Sequence, residues 1–97
     1  MIDLEAKHLA TVRSILLRHA PGLPVYAFGS RAKGRARRFS DLDLAVVTDQ
    51  PMDGSALARL HEAFDDSDLP IMVDLVDWNR STPEFRKLAG PLTPLDA

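Results

Sequence analysis

The chain has no cysteine, which excludes disulfides and thiolate metal sites and fits a reducing cytosol. No apolar run approaches the length needed to cross a bilayer, so no membrane association is expected. The N-terminus lacks a basic region followed by an apolar one and does not read as a signal peptide, which makes a cytoplasmic location the expectation. There is no internal repeat and no low-complexity segment. Nor is there a large excess of one charge: the net charge of −2 by itself predicts no nucleic-acid affinity. What is present is an ordinary globular composition over 97 residues, enough for a single domain, residues 1–97, with one core.

The distribution of charge says more than its sum. Of twelve Lys and Arg, five lie between Arg31 and Arg38, with no acid among them. From Asp41 to Asp77 ten acids stand against one base, Arg59. A basic segment abutting an acidic one is what a site for polyphosphate and a cation needs, since each ligand requires the opposite charge. The plainer alternative is a solvated basic loop beside a solvated acidic helix. Two short elements decide between them. Gly29-Ser30 closes the apolar run Pro24 to Phe28, and Asp41-Leu42-Asp43 opens the run Leu44 to Val47.

Leu9, Val12, Ile15, Leu16 and His19 recur at helical spacing, predicting a helix over 4–20 with Asp3 as its N-cap and Pro21-Gly22 as its stop. Val25 to Phe28 reads as a short strand that Gly29 ends, with Ser30 capping a short helix that Gly34 terminates. Leu42 to Val47 is nearly all apolar after Asp43 and reads as a central strand. Ser55 is expected to cap a helix running to about Phe64, and Ile71 to Trp78 reads as a third strand. Asp65-Asp66-Ser67-Asp68 lacks the spacing and closing Glu of an EF-hand and reads as a helix exit. Thr82-Pro83 starts a last helix that stops at Gly90-Pro91, and the Pro-rich tail is expected to lie extended on the surface. Helices alternating with strands predict an α/β domain with one sheet covered by helices.

This order carries a geometric demand. Gly29-Ser30 leaves the first strand and Asp41-x-Asp43 enters the second, so they meet at one sheet edge only if those strands run antiparallel. Asp41 and Asp43 then share a face, because side chains alternate along a strand. Asp74, flanked by Val73 and Leu75, is costly to bury unless a cation sits beside it, which makes it the best third carboxylate and Asp77 the weaker choice. Carboxylates that converge repel one another and raise each other's pKa, and a divalent cation offsets this. Oxygen-only ligands suit Mg²⁺ or Mn²⁺, and two such ions can clamp the entering and leaving oxygens of a displacement at phosphorus. Backbone amides at Gly29 and Ser30 suit an anion, the Ser30 hydroxyl can donate to a phosphate oxygen, and Arg31, Lys33 or Arg35 could neutralise a leaving pyrophosphate. Arg37 and Arg38 read equally as solvated or phosphate-facing. Trp78 reads as packing beside the last helix, and Tyr26 as core or interface.

Gly29-Ser30, ten residues, then Asp41-Leu42-Asp43, with Val73-Asp74-Leu75 beyond, resembles the signature of the DNA polymerase β nucleotidyltransferase superfamily, and the size resembles its minimal MNT branch. The resemblance runs from about Val25 to Leu88. It implies an α-β-α-β-α-β core with a small mixed three-stranded sheet plus a C-terminal helix. It implies Asp41, Asp43 and Asp74 as catalytic metal ligands and Gly29 and Ser30 at the triphosphate. Relatives of this size are often antitoxins that transfer AMP from ATP to a tyrosine of a HEPN-domain RNase toxin, with which they form a hetero-oligomer. That activity is the expectation here. An antitoxin that acts by binding alone, and a nucleotidyltransferase acting on a small molecule or an RNA end, are the alternatives. The intact carboxylates argue against the first of these, since a disused site has no reason to keep them.

Overall fold

The computed structural model describes residues 2–38 and 40–95. The first apolar stripe forms α1, Ala6–His19, with Val12 fully buried and Leu9, Ile15 and Leu16 packed around it. His19 is exposed, so the stripe ends earlier than its spacing implies. Asp3 does not cap α1; Glu5 holds that position without a side-chain bond. Asp3 is held elsewhere: its N–H donates to the Arg31 carbonyl and its own carbonyl accepts from the Arg31 guanidinium, both at 2.7 Å.

Strand β1, Val25–Phe28, runs antiparallel to β2, Leu42–Val46, and β2 runs parallel to β3, Val73–Asp77. These are the strands of the expected mixed sheet, and the antiparallel demand on the first two is met. The tail adds a fourth. Thr93–Pro94 forms β4, antiparallel to β1, so the order across the sheet is β3-β2-β1-β4. The tail is therefore not a surface strap. Leu95 is only 5% exposed, and its carbonyl accepts from the Arg13 guanidinium. Its prolines describe the local backbone; the partner that captures it, the outer edge of β1, lies far away in sequence.

Alternation along the strands separates two cores. Ala27, Leu42, Leu44 and Val73 face α1 and α3, where Val12, Leu60 and Phe64 meet them. Phe28, Ala45 and Val76 face the other way, against Ala89, Leu92 and Trp78. Helix α3 is Gly54–Asp65, and its cap is Asp53, not Ser55. The Asp53 carboxylate accepts from the Ser55 hydroxyl and N–H, which holds its pKa below the usual aspartate value.

The second face is covered by α4, Pro83–Ala89. Thr82 caps it by accepting from the Phe85 N–H at 3.1 Å, Pro83 occupies the first turn, and Gly90 ends it with φ +75°. Phe28, Trp78 and Phe85 form a triangle with ring centroids 5.8–6.3 Å apart, which fixes α4 over the end of β1. Trp78 thus packs, as expected, with the Arg86 guanidinium 5.3 Å from its ring centre. Among the described residues no helix is long and apolar enough to cross a membrane.

Candidate active site

β1 passes directly into α2, Gly29–Ala32, a single turn that starts with Gly29 at φ +75°. Phe28 is the residue before the turn, so Ser30 lies inside it and does not cap it. Its hydroxyl makes no hydrogen bond to the described residues. Lys33 closes the turn and Gly34, at φ +70°, leads the chain away.

The register places Phe28 opposite Asp43, and Asp43 opposite Asp74. Phe28, Asp43 and Asp74 therefore form one row across the sheet, on the face that carries α4. Gly29 stands at the end of that row against the Asp43 carboxylate. A Cβ built on Gly29 would lie 2.5 Å from Asp43 Oδ2, closer than such contacts occur. Only glycine satisfies both the backbone angle and this approach.

Asp43 is half-buried, and its pKa is raised above the usual aspartate value. Desolvation is the main cause, followed by the charges of Asp74 and Asp41. The three carboxylates thus share one electrostatic neighbourhood, although among the described residues no three acidic or histidine side chains are gathered as a finished metal-binding cluster. Two carboxylates in register whose repulsion is not neutralised fit a hard divalent cation. Beside them opens a cavity of about 440 Å³, walled by Phe28, Gly29, Asp43, Asp74, Phe85 and Leu88.

Asp74 and Asp77 exchange the burial expected of them. Asp74 is exposed, so the cost of burying a lone carboxylate does not single it out; its place opposite Asp43 does. Asp77 is only 4% exposed and is fully engaged, accepting from the N–H groups of Met52 and Asn79 and from Arg80 Nε. It fixes the turn after β3, on the face away from Asp43 and Asp74. The reason is parity: Asp77 falls on the α3 face with Val73, and Asp74 on the α4 face at the sheet's outer strand.

The basic residues divide in the same way. Arg31, expected at the triphosphate, is only 6% exposed, and its guanidinium is spent on four carbonyls. Nε donates to Ser40 O at 2.9 Å, Nη1 to Asp3 O at 2.7 Å, and Nη2 to Arg37 O and Arg38 O at 3.4 and 3.3 Å. It fastens the basic loop and the residue before Asp41. Lys33 and Arg35 are exposed. Lys33 reaches across to the end of α4, where its Cε and Nζ would stand 3.1 and 3.3 Å from a Cβ on Gly90. Its ammonium is therefore beside Gly90, the residue that follows Ala89 in the cavity wall.

Lysine at position 31 would keep the charge and lose the planar fork, leaving carbonyls unpaired. Arg31→Lys is expected to lower stability by roughly 1–3 kcal/mol in urea titration. It should also raise the half-saturating divalent-ion concentration for activity, because Ser40 anchors Asp41. A residue acting only on phosphate would leave the urea midpoint unchanged.

A one-sheet α/β fold whose glycine-serine turn abuts a strand of aspartates defines the class of the protein. Residues 11–89 match the family described as "Polymerase beta, Nucleotidyltransferase", and the chain belongs to that family. It is a nucleotidyltransferase, and the resemblance to the minimal branch is borne out. The chain is 47% identical over 87 residues to a Haemophilus influenzae protein described as "Probable protein adenylyltransferase MntA", covering 90% of this chain and 76% of that one. A solved structure described as "Crystal structure of the toxin-antitoxin with AMP-PNP" shares the fold at a TM-score of 0.63 and 31% identity. The likeness covers 79% of this chain, which spans 62% of the length of that one.

Proposed function

We propose that the chain transfers AMP from ATP to a tyrosine of a HEPN-domain RNase toxin in the cytoplasm, in a metal-dependent reaction, and serves as that protein's antitoxin. One observation carries the site: the glycine-serine turn and the carboxylates are in direct contact, Gly29 against Asp43 and Asp43 in register with Asp74. The likeness to a protein adenylyltransferase and to a toxin-antitoxin structure supports the acceptor class.

Asp41, Asp43 and Asp74 would hold Mg²⁺ or Mn²⁺, two ions in all, which when bound neutralise the carboxylates and the phosphate oxygens. The other groups act on the substrate. The unpartnered Ser30 hydroxyl donates to a phosphate oxygen, with Gly29 allowing the close approach. Lys33 and Arg35 offset the charge of the departing pyrophosphate. The acceptor oxygen bonds to the α-phosphorus as the bond to pyrophosphate breaks. The hydroxyl proton passes to a carboxylate, and exposed Asp74 is placed to take it. Arg31 positions Asp41 from behind.

The test is incubation with the protein encoded beside it and ATP labelled at either the α- or the γ-phosphate. Label from the α position alone, abolished by a chelator, is the expected result. Label from the γ position would identify a phosphoryl transfer and overturn the proposal.

A further inference from the structure

Strand β3 is the outer strand of the sheet, bonded on one side only. The Leu42 N–H donates to the Met72 carbonyl at 2.9 Å, so Met72 turns its backbone groups toward β2. Direction alternates along a strand, so Asp74 and Val76 also point at β2. Val73 and Leu75 then point their N–H and C=O groups outward; Val73 is covered, at 3% exposed, and Leu75 is the partly exposed position on this edge.

At Leu75 the edge borders a groove. A cavity of about 430 Å³ is bounded by Leu57 of α3 on one face, Phe85 of α4 on the other, and Leu75, Val76 and Arg80 between them. Since neighbouring residues of β3 face opposite ways, a cavity touching both Leu75 and Val76 straddles the strand's edge. The same Leu75, Val76 and Phe85 also wall the cavity that holds Asp43 and Asp74. The two spaces lie on either side of the same Leu75, Val76 and Phe85. Leu88, at 80%, and Met72, at 63%, are exposed.

We infer that the free edge of β3 receives an extended segment of the acceptor protein as an added strand, and that this pairing delivers the hydroxyl. The inference rests on the proposed AMP transfer to a protein and specifies how that acceptor docks. Phe28, Asp43 and Asp74 occupy successive places in one row across the sheet. The next place belongs to a residue of the added strand, whose side chain would stand about 5 Å from that of Asp74 on the same face. A hydroxyl there lies beside Asp74, with Asp43 one strand further along the row.

Leu75→Pro removes one outward N–H and no group facing β2, a change outer strands tolerate. It is expected to raise the KM for the acceptor protein roughly tenfold, with a far smaller change in the KM for ATP. Leu75→Ala, which keeps the N–H and trims only the side chain lining the groove, should raise the acceptor KM less than the proline variant does. An unchanged KM in the proline variant, or an equal rise in both variants, would overturn strand pairing. Hydrogen exchange on the unmodified complex decides the matter if the proline variant fails to fold. Slowed exchange at Leu75 on adding the acceptor protein is expected, and unaltered exchange there would overturn the inference. Slowing that depends on the chain's own concentration would assign the edge to a second copy and overturn it too. Slowing by the acceptor without any AMP transfer would uphold the docking edge while refuting the proposed reaction.

Discussion

Alanine at Gly29 is expected to reduce AMP transfer by about 100-fold, the cost of moving a reacting group by roughly 1 Å. The new methyl would stand 2.5 Å from Asp43 Oδ2, and ordinary contact begins near 3.4 Å. The carboxylate or the turn must give way, and either movement separates the phosphate-binding turn from the metal-binding oxygens. A second cost arises in the backbone, because φ +75° disfavours any side chain by about 1–2 kcal/mol. Gly22 separates the two effects. It has φ +76° with nothing within 4 Å of its added Cβ, in the turn between α1 and β1. Gly22→Ala should melt earlier by a comparable backbone penalty and retain full transfer. Equal activity in the two variants would show that the Gly29–Asp43 contact has no part in the reaction.

Asp43→Asn keeps the shape of the side chain and removes its charge. Transfer should fall by at least about 100-fold, more than loss of an outer partner of a metal ligand usually costs. Without metal the variant should be more stable than the parent at neutral pH. Burial, then Asp74, then Asp41 disfavour the charged form of Asp43, so its pKa in the folded chain exceeds that in the unfolded chain. A group shifted upward gives its full stabilisation below the unfolded value and loses it as pH rises through the folded value. The difference between parent and variant should therefore be absent in acid and open as pH rises above about 4. Adding Mn²⁺ should raise the melting temperature of the parent and leave the variant unmoved. Thermal unfolding at several pH values, with and without Mn²⁺, measures all of this.

Much of the fold was legible because its signals are local. Helical spacing marks α1, Thr82-Pro83 marks the start of α4, and apolar runs mark β1 and β2. The antiparallel pairing followed from asking where Gly29-Ser30 and Asp41-x-Asp43 could meet. The errors arose where the deciding contact is distant. Five cations between Arg31 and Arg38 do not reveal that Arg31 turns inward to carbonyls from residues 3 to 40 while Lys33 reaches α4. Asp74 and Asp77, three apart on one strand, face opposite ways, but nothing in the sequence tells which face is covered; the fold leaves one exposed and the other capped by Met52, Asn79 and Arg80. The tail strand was hidden for the same reason, since nothing near Thr93 announces that β1 has a vacant side. Asp53 and Ser55 both suit an N-cap, and the choice between them rests on where the first helical turn closes.

The central claim is that the Asp43 carboxylate takes part in moving AMP onto a partner protein. The most direct measurement is the intact mass of that partner after incubation with ATP, Mg²⁺ and either the parent chain or Asp43→Asn. The expected result is a gain of one or more AMP groups with the parent and none with the variant, although both bind the partner. An unmodified partner that the parent chain nevertheless silences, or an equal mass gain with both chains, would contradict it.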